Sequence, residues 1–409
     1  MRPSRLPDAC APPQVIMFQL LERENVVERR DFLRAAVIGS TVATLGFSVT
    51  RESIAYPAKT GPSPYGALQA ADANGIELPA GFASRVIARS TQQVAGTGFT
   101  WHSAPDGGAC FADGTGWIYV SNAEMGTGAG GVSAIRFDAN ATITGAYSIL
   151  SGTTRNCSGG PTPWNTWVSC EETDFGYNFE TDPWGAKAPV RRDAMGRFKH
   201  EAVACDPDRK VIYQTEDTTD GCFYRFVPTI WGDLSSGTLQ VLVESGTTLS
   251  WVTVPDPDGS STPTRDQVAG AKIFNGGEGA YYRNGICYFT TKGDNRVWAY
   301  DAAANQLHVA YDDNLTSNPP LTGVDNITGA AVGDLYVAED GGNMEICIIT
   351  PDDVIAPFLR VTGQSASELC GVAFNPAGNR LYFSSQRGTS GSSSGGITYE
   401  VAGPFRTAL

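Results

Sequence analysis

Asp334-Leu-Tyr-Val-Ala-Glu-Asp340 is one of six short stretches of this chain that repeat the same strand-like pattern. Each stretch has an aromatic residue near its start, continues with apolar and small residues, and ends in polar or charged residues. The stretches are Trp117–Glu124, Thr166–Glu172, Val211–Asp217, Ile286–Lys292, Asp334–Asp340 and Arg380–Gln386. Their aligned aromatic residues are Tyr119, Trp167, Tyr213, Tyr288, Tyr336 and Tyr382, at intervals of 48, 46, 75, 48 and 46 residues.

A strand-based period in the forties is typical of a β-propeller with one four-stranded blade per repeat. The sequence therefore predicts an all-β fold, a six-bladed β-propeller. The acidic residues described below predict a metal site at its central axis. A two-sheet sandwich is the alternative, and six recurrences at near-constant spacing argue against it. The long interval contains an insertion at about 230–270, which we expect to be a surface excursion. Residues 81–90 are expected to close the ring by pairing into the last blade, since closure removes exposed edges.

The first 55 residues are predicted to be a leader that contains a twin-arginine signal peptide, and residues 56–409 to be the propeller. Arg29 and Arg30 precede Phe32-Leu33 and an apolar stretch from Ala35 to Val49, which is the pattern of twin-arginine export. A short basic amphipathic helix or a membrane anchor is the alternative. The apolar stretch is short and diluted by Gly, Ser and Thr, so no stable membrane anchor is expected. The predicted destination is the periplasm or the medium, reached through the twin-arginine translocation machinery.

The composition of the chain limits which partners it can bind and which cysteine motifs it contains. The chain has 409 residues, 47 Gly and 24 Pro, as a turn-rich β protein requires, and a formal net charge of −14. That charge argues against nucleic acid as a partner and suits bound cations. Nine cysteines occur without a CxxC pair, which excludes a zinc ribbon or a thioredoxin motif.

Cys157 differs from the other cysteines because it lies in a polar, turn-rich loop, Thr154–Pro163, where packing does not require sulfur. As a thiolate it would serve as a metal ligand or as a nucleophile. The alternative is a disulfide, with Cys170 as its nearest partner in sequence.

Acidic residues recur at two blade positions. One set precedes the predicted inner strands and comprises Glu201, Glu278, Asp325, Asn326 and Glu368, with Cys157 at the matching place in the second blade and His102 or Asp106 in the first. The other set ends the repeats and comprises Glu124, Glu171, Glu172, Glu216, Asp217, Glu339 and Asp340. A single carboxylate at a strand end is usually solvated surface. Carboxylates that recur in most blades would meet at the axis, where their repulsion favours bound cations. Oxygen ligands favour calcium, and the thiol favours a softer transition metal.

The segment Arg155–Glu172, which reads Arg-Asn-Cys-Ser-Gly-Gly-Pro-Thr-Pro-Trp-Asn-Thr-Trp-Val-Ser-Cys-Glu-Glu, closely resembles the defining segment of the PhoX-type alkaline phosphatases. Asp72–Pro79, Gly196–Ala202 and Glu339–Gly341 resemble other segments of that family, and the resemblance runs in order from about residue 62 to 400.

The resemblance implies an exported propeller that hydrolyses small phosphomonoesters with a cluster of ferric iron and calcium. It implies that Cys157 binds iron and that Glu201, Glu278 and Glu339 are metal carboxylates. Further candidates by likeness are Glu171, Glu172, Glu216 and Asp340. The mechanism implied is metal-assisted in-line displacement at phosphorus. Basic residues would clamp the phosphate, and the candidates are Arg155, Arg197, Arg225 and Lys292. The protein is expected to be a monomer.

Two other functions remain open from the sequence. A calcium-dependent lactonase-like propeller needs one axial calcium, which Glu201, Asp325 and Asn326 would supply, and needs no iron. A noncatalytic propeller would bind ligands on one face. The concentration of axial carboxylates around Cys157 argues against this second alternative, and the iron content of the protein separates the phosphatase from the lactonase.

Overall fold

The computed structural model describes residues 57–407, and these residues form 27 strands and six one-turn 3-10 helices. The leader predicted over residues 1–55 lies outside the described residues. Among the described residues, no helix has the length and apolar character needed to cross a membrane. Three short strands precede the first blade: β1 (Lys59–Thr60), β2 (Ile76–Glu77) and β3 (Ala83–Arg89).

The remaining strands, together with β3, form the six predicted blades, in which neighbouring strands are antiparallel. Five blades follow chain order, and the sixth takes β3 as its outer strand. Blade one comprises β4 (Pro105–Asp113), β5 (Gly116–Ala123), β6 (Gly130–Phe137) and β7 (Ile143–Thr153). Blade two comprises β8 (Asn156–Pro161), β9 (Trp167–Glu171), β10 (Asn178–Thr181) and β11 (Val190–Arg191). Blade three comprises β12 (His200–Asp206), β13 (Val211–Glu216), β14 (Phe223–Ile230), β15 (Asp233–Ser245) and β16 (Thr248–Thr253).

The second half of the ring repeats this arrangement. Blade four comprises β17 (Gly277–Arg283), β18 (Ile286–Thr291), β19 (Arg296–Asp301) and β20 (Gln306–Asp312). Blade five comprises β21 (Val324–Gly329), β22 (Leu335–Glu339), β23 (Glu345–Ile349) and β24 (Val354–Val361), and both β1 and β2 pair with β24. Blade six comprises β25 (Leu369–Phe374), β26 (Arg380–Ser385), β27 (Ile397–Ala402) and β3. The first strand of each blade contacts the first strands of both neighbouring blades, so six inner strands surround the axis.

The ring closes through β3, which pairs antiparallel with β27 from Ala83 opposite Ala402 to Arg89 opposite Ile397. The prediction of a closing strand at 81–90 is confirmed. Glu400 of β27 reinforces the closure, since its carboxylate accepts hydrogen bonds from Arg85 at 2.8 Å and from the Tyr382 hydroxyl at 2.6 Å.

The hydrophobic core lies between adjacent blades, and the repeated aromatic residues belong to it. All six are at most 5% exposed. Tyr119 and Tyr382, for example, stack between blades one and six with ring centroids 5.0 Å apart. One large aromatic side chain per blade therefore packs within an interface between blades, which explains the regular spacing in sequence.

The insertion predicted at about 230–270 is only partly a surface excursion. Its first part forms β15 and β16, which give blade three a fifth strand. Its second part belongs to the connection over residues 254–276 that leads to the inner strand of blade four.

One face of the ring, which we call the site face, carries the starts of the inner strands, the ends of the second strands and the connections between blades. This follows from the antiparallel order of each sheet. All six 3-10 helices lie in loops on this face: Asp193–Met195, Thr264–Asp266, Lys292–Asp294, Asp313–Leu315, Gly388–Ser390 and Ser393–Gly395. The site face is thus built of longer, less regular loops, which is where propellers place their functional groups.

Replacing Ile87 with Ala is expected to destabilise the protein by about 2–4 kcal/mol, because this side chain of the closing strand is only 4% exposed and its removal leaves a cavity. Chemical denaturation of the purified protein measures the change. Ile230→Ala is the matched control, since Ile230 is 65% exposed and its loss should cost no more than about 0.5 kcal/mol. Equal effects of the two substitutions would contradict the closing role of β3.

Candidate metal centre

Every inner strand is interrupted by a β-bulge at the same place. In each blade two residues of the first strand lie opposite one residue of the second strand. The bulged pairs are Asp106-Gly107, Cys157-Ser158, Glu201-Ala202, Glu278-Gly279, Asp325-Asn326 and Gly371-Val372. A bulge bends the strand and redirects a side chain. In five blades the first bulged residue carries a carboxylate or a thiol.

Blade six has glycine at this position. Gly371 adopts φ +67°, and a Cβ there would lie 2.5 Å from the carbonyl oxygen of Asp106. A side chain is therefore excluded by both conformation and space. Glu368, which the sequence placed in the same ring, lies three residues earlier and lines the mouth of the site instead.

Residues opposite three of the bulges fasten the bulge of the next blade to their own blade. The Thr215 hydroxyl of blade three donates to the carbonyl oxygen of Glu278 at 2.5 Å, and the Thr290 hydroxyl of blade four donates to that of Asp325 at 2.6 Å. The Asn122 amide of blade one donates to the carbonyl oxygens of Cys157 and Ser158 at 3.1 and 2.7 Å. All three donor residues are buried. These bonds between blades hold the bulged backbone in position.

The bulges bring together three overlapping groups of potential metal ligands, which we call the axial cluster. Within each group the ligand atoms lie within 4.8 Å of one another. The groups are Asp106, Glu124 and Cys157; then Cys157, Glu172 and Glu201; then Glu201, Glu278 and Asp325. Cys157 and Glu201 are each shared by two groups, so the arrangement offers adjacent cation positions joined by common ligands.

Glu201 shows most directly that the axial cluster is built for cations. Its side chain is fully buried, and neither carboxylate oxygen has a hydrogen-bond partner among the described residues. Burial raises the pKa of Glu201 well above its usual value, and the nearby Glu278 and Glu172 carboxylates raise it further. A buried carboxylate without a partner is unfavourable unless it is protonated or bound to a cation. A metal ion in either adjacent group would satisfy it.

The surroundings of the Cys157 thiol also indicate that the axial cluster binds cations. Burial raises the pKa of this thiol, and the carboxylates of Asp106 and Glu201 raise it further. Its sulfur lies 3.6 Å from Asp106 Oδ2. A thiolate among carboxylates requires a cation, and coordination to a metal removes the thiol proton. Both Cys157 and Cys170 carry free thiols in the structure, so the disulfide alternative is not formed there.

A cavity of about 170 Å³ opens onto the axial cluster from the site face. Basic residues at its rim are paired with acidic ones. Lys292 Nζ lies 2.9 Å from Glu278 Oε1 and 3.1 Å from Asp340 Oδ2. Arg155 and Arg387, which also line the cavity, pair with Glu124 at 3.5 Å and Glu368 at 2.8 Å.

A fourth cation, Lys199, lies between Glu172 at 2.9 Å and Asp217 at 2.7 Å. Burial and the hydrogen bond with Asp217 raise the pKa of Glu172 to about 7, although Lys199 opposes this. Burial lowers the pKa of Lys292, but the carboxylates of Glu278 and Asp325 outweigh it and raise the value, so Lys292 is charged. The mouth thus presents positive charge above an acidic floor.

Three of the predicted acidic residues are absent from the axial cluster and serve its loops. Glu171, Glu216 and Glu339 each end a second strand and accept hydrogen bonds from the adjacent loops. Glu171 accepts from the backbone of Thr154 and Tyr177, Glu216 from Cys222 and Tyr224, and Glu339 from Thr322 and Glu345. The residue directly after each strand, Glu172, Asp217 or Asp340, pairs with Lys199 or Lys292 instead. Side chains alternate in direction along a strand, so consecutive residues take different roles.

Asn326, Arg197 and Arg225 also lie outside the ligand groups. Asn326 donates to Asp325 Oδ1 at 2.9 Å and accepts from the Gly371 backbone at 2.6 Å, so it orients Asp325. Arg197 is not among the residues that line the cavity, and pairs with Asp258 at 3.7 Å. Arg225 donates to Gln240 at 2.7 Å on the outer strands of blade three.

Two rim residues, Lys199 and Arg387, were not predicted from the sequence. Arg387 directly follows the sixth repeat, near the place where Lys292 ends the fourth, so the alignment of the repeats contained a signal for it. Lys199 lies two residues before the bulged Glu201, as Arg155 lies two residues before the bulged Cys157, so the alignment of the inner strands contained a signal for it too.

The fold and the site together define a six-bladed propeller with an acidic, thiol-containing centre at its axis and a basic rim. The family model described as alkaline phosphatase PhoX matches residues 119–174 and 173–309, slightly less than half of the chain. Residues 119–309 are therefore similar to the PhoX-type alkaline phosphatases, as the segments indicated. No curated protein sequence matches it significantly.

Among solved structures, this chain is similar to PhoX of Pseudomonas fluorescens in complex with vanadate, a transition state analogue. The TM-score is 0.65 and the sequence identity is 15%, and the similarity covers 85% of this chain and 97% of that chain. This similarity supports the propeller fold. A gluconolactonase of Xanthomonas campestris has a TM-score of 0.44 and 12% identity, over 86% of this chain and 98% of that one. A calcium-binding regucalcin of Agrobacterium tumefaciens has a TM-score of 0.43 and 13% identity, over 80% and 97% of the two chains.

Replacing Glu201 with Gln is expected to stabilise the metal-free protein at alkaline pH. The raised pKa of Glu201 means that its contribution to stability is present below the usual glutamate pKa of about 4.3 and is lost as the pH rises through the folded-state value. The melting temperature of chelator-treated wild-type protein should therefore fall from acidic to alkaline pH, and less steeply in the variant.

The matched control for this prediction is Glu216→Gln. Glu216 is equally buried and burial raises its pKa too, but Tyr224 at 2.8 Å and Arg265 at 3.1 Å hold its carboxylate and oppose that rise, so its replacement should give no comparable gain in stability. A Glu201→Gln variant that melts below the wild type without metal at alkaline pH would contradict the prediction.

Proposed function

We propose that this protein is a metal-dependent phosphomonoesterase of the alkaline phosphatase type, which releases phosphate from small organic phosphoesters. The observation that carries this proposal is the buried, unpartnered carboxylate of Glu201 within the axial cluster, beneath a basic rim. The acidic floor suits metal cations and the rim suits a phosphate dianion. The family match supports this combination.

The donor set fits the proposed iron and calcium. Cys157, Glu172 and Glu201 combine a thiol with carboxylates, which suits iron, whereas Glu201, Glu278 and Asp325 offer oxygen alone, which suits ferric iron or calcium. Asp106, Glu124 and Cys157 form the third position. When bound, such ions polarise phosphoryl oxygens and lower the pKa of water.

The side chains of the rim would bind and orient the phosphoester. Lys292 and Arg155 reach the cavity from different blades, and Arg387 does so from a third. A neighbouring carboxylate holds each of these basic side chains in place, so the side chains lose little conformational freedom when the phosphate binds. Their fixed positive charge would also stabilise negative charge that develops on the phosphoryl oxygens.

We also propose that the protein is exported through the twin-arginine pathway and acts as a monomer. The support is the Arg29-Arg30 pair and the apolar stretch that follows it. A variant with both arginines replaced by lysine should accumulate in the cytoplasm, as fractionation of cells would show. Normal export of that variant would contradict the proposed route, and sedimentation measures the oligomeric state.

Cys157→Ala is expected to abolish iron binding and phosphatase activity and to leave the fold intact, because Cys157 is only partly buried at the bulge of β8 and packs in no hydrophobic core cluster of the described residues. Elemental analysis of protein exported by its native host, together with hydrolysis of p-nitrophenyl phosphate, measures both effects. The matched control is Cys205→Ala, another free thiol on an inner strand, which belongs to no ligand group. Full activity with unchanged iron in Cys157→Ala would contradict the ligand role.

Iron-free wild-type protein that holds calcium and hydrolyses lactones would favour the lactonase alternative.

Lys292→Met is expected to lower kcat/KM about 100-fold, because it removes one positive charge from the phosphate position. Steady-state kinetics with p-nitrophenyl phosphate measures the loss. Lys272→Met is the control, since Lys272 is also paired with a glutamate, Glu244 at 2.6 Å, but does not line the cavity. A loss of less than twofold in Lys292→Met would exclude this lysine from phosphate binding.

A further inference from the structure

Phe175 is a large exposed aromatic residue on the site face, and no part of the proposed chemistry uses it. Its side chain is 62% exposed. It belongs to the loop between β9 and β10, three residues after Glu172, which lines the cavity. Three residues span at most about 11 Å, so the backbone at Phe175 lies within that distance of the backbone at Glu172.

The loop that carries Phe175 is tightly held. The Gly176 backbone donates to Thr173 at 2.8 Å, and a Cβ on Gly176 would lie 2.0 Å from the carbonyl oxygen of Glu171. The backbones of Glu171 and Tyr177 are hydrogen-bonded at 3.1 Å. Phe175 is therefore presented by a short turn with little freedom, rather than by a long loop.

Arg197 covers part of the Phe175 ring. Its guanidinium carbon lies 4.7 Å from the ring centroid of Phe175 and 5.7 Å from that of Tyr177. Asp258, from the connection between blades three and four, holds both neighbours: it lies 3.7 Å from Arg197 and accepts a hydrogen bond from the Tyr177 hydroxyl at 2.9 Å. The insertion thus fixes an aromatic ring and a guanidinium against each other on the site face.

We infer that Phe175 is a specificity-determining residue that stacks on a flat heterocycle carried by the leaving group, such as the base of the nucleoside that a nucleoside monophosphate releases. The inference rests on the proposed function, because the phosphate would occupy the cavity while the base lies on the ring. Aromatic side chains stack on any base, and a guanidinium beside the ring adds to such binding. A leaving group without a ring, such as glycerol, gains nothing from Phe175.

The test compares Phe175→Ala and Phe175→Trp with wild-type metal-loaded protein on adenosine monophosphate and on glycerol phosphate. Phe175→Ala should lower kcat/KM for the nucleotide about tenfold, a typical loss when a stacking residue is truncated. The loss should lie mainly in KM, because stacking is equal in the ground and transition states. Glycerol phosphate hydrolysis should change less than twofold, and Phe175→Trp should retain nucleotide hydrolysis.

The matched control is Ile230→Ala, which removes an equally exposed apolar side chain from the opposite face of the ring. Saturation-transfer NMR with adenosine monophosphate gives a readout independent of turnover: wild-type protein should transfer magnetisation to the base protons, and Phe175→Ala should not. Equal losses on both substrates, no loss on either, or unchanged transfer in Phe175→Ala would overturn the inference. Base transfer that depends on Phe175 in a protein that hydrolyses neither substrate would support the stacking role and refute the proposed function.

Discussion

Repulsion between buried acidic groups at the axis is the constraint on which the rest of this structure depends. Cys157, Glu201, Glu278 and Asp325 approach one another from four blades, and Glu201 has no hydrogen-bond partner among the described residues. Separate charges of one sign in a low-dielectric interior oppose folding unless cations or protons compensate them. The closed ring of blades holds these groups together, and the proposed metal ions would convert their repulsion into coordination.

The bulge in each inner strand determines where those groups lie. A regular strand would alternate its side chains between two sheet faces, whereas the bulge changes the direction of one residue per blade. The buried donors Thr215 and Thr290 tie the bulges of blades four and five to the blade before each. The geometry of the centre is therefore a property of the interfaces between blades, and the hydrophobic contacts of those interfaces support it indirectly.

The basic residues at the mouth of the cavity and the insertion in blade three surround the axial cluster on the site face. Lys292, Lys199 and Arg387 balance acidic groups that face the mouth, which keeps the opening from repelling an anion. Blade three contributes Asp258 through its insertion, and this carboxylate holds Arg197 against Phe175. Features outside the repeat thus supply the surface that a leaving group would meet.

The number of blades could be predicted from the sequence, because each interface between blades buries one large aromatic residue and this demand recurs with every repeat. The closing strand could be predicted because a strand-like run precedes the first full repeat. The sequence also marked Cys157, Glu201, Glu278 and Asp325, since their places in the repeat coincide. Only the tertiary structure separated Glu172 from Glu171, which differ by one position but face the site and its supporting loops respectively. It alone showed that the bulge of blade six has Gly371 where other blades have a potential ligand, because the carbonyl oxygen of Asp106 approaches too closely for any side chain. These differences depend on bulges and on contacts between residues far apart in the chain, which a pattern in the sequence does not reveal.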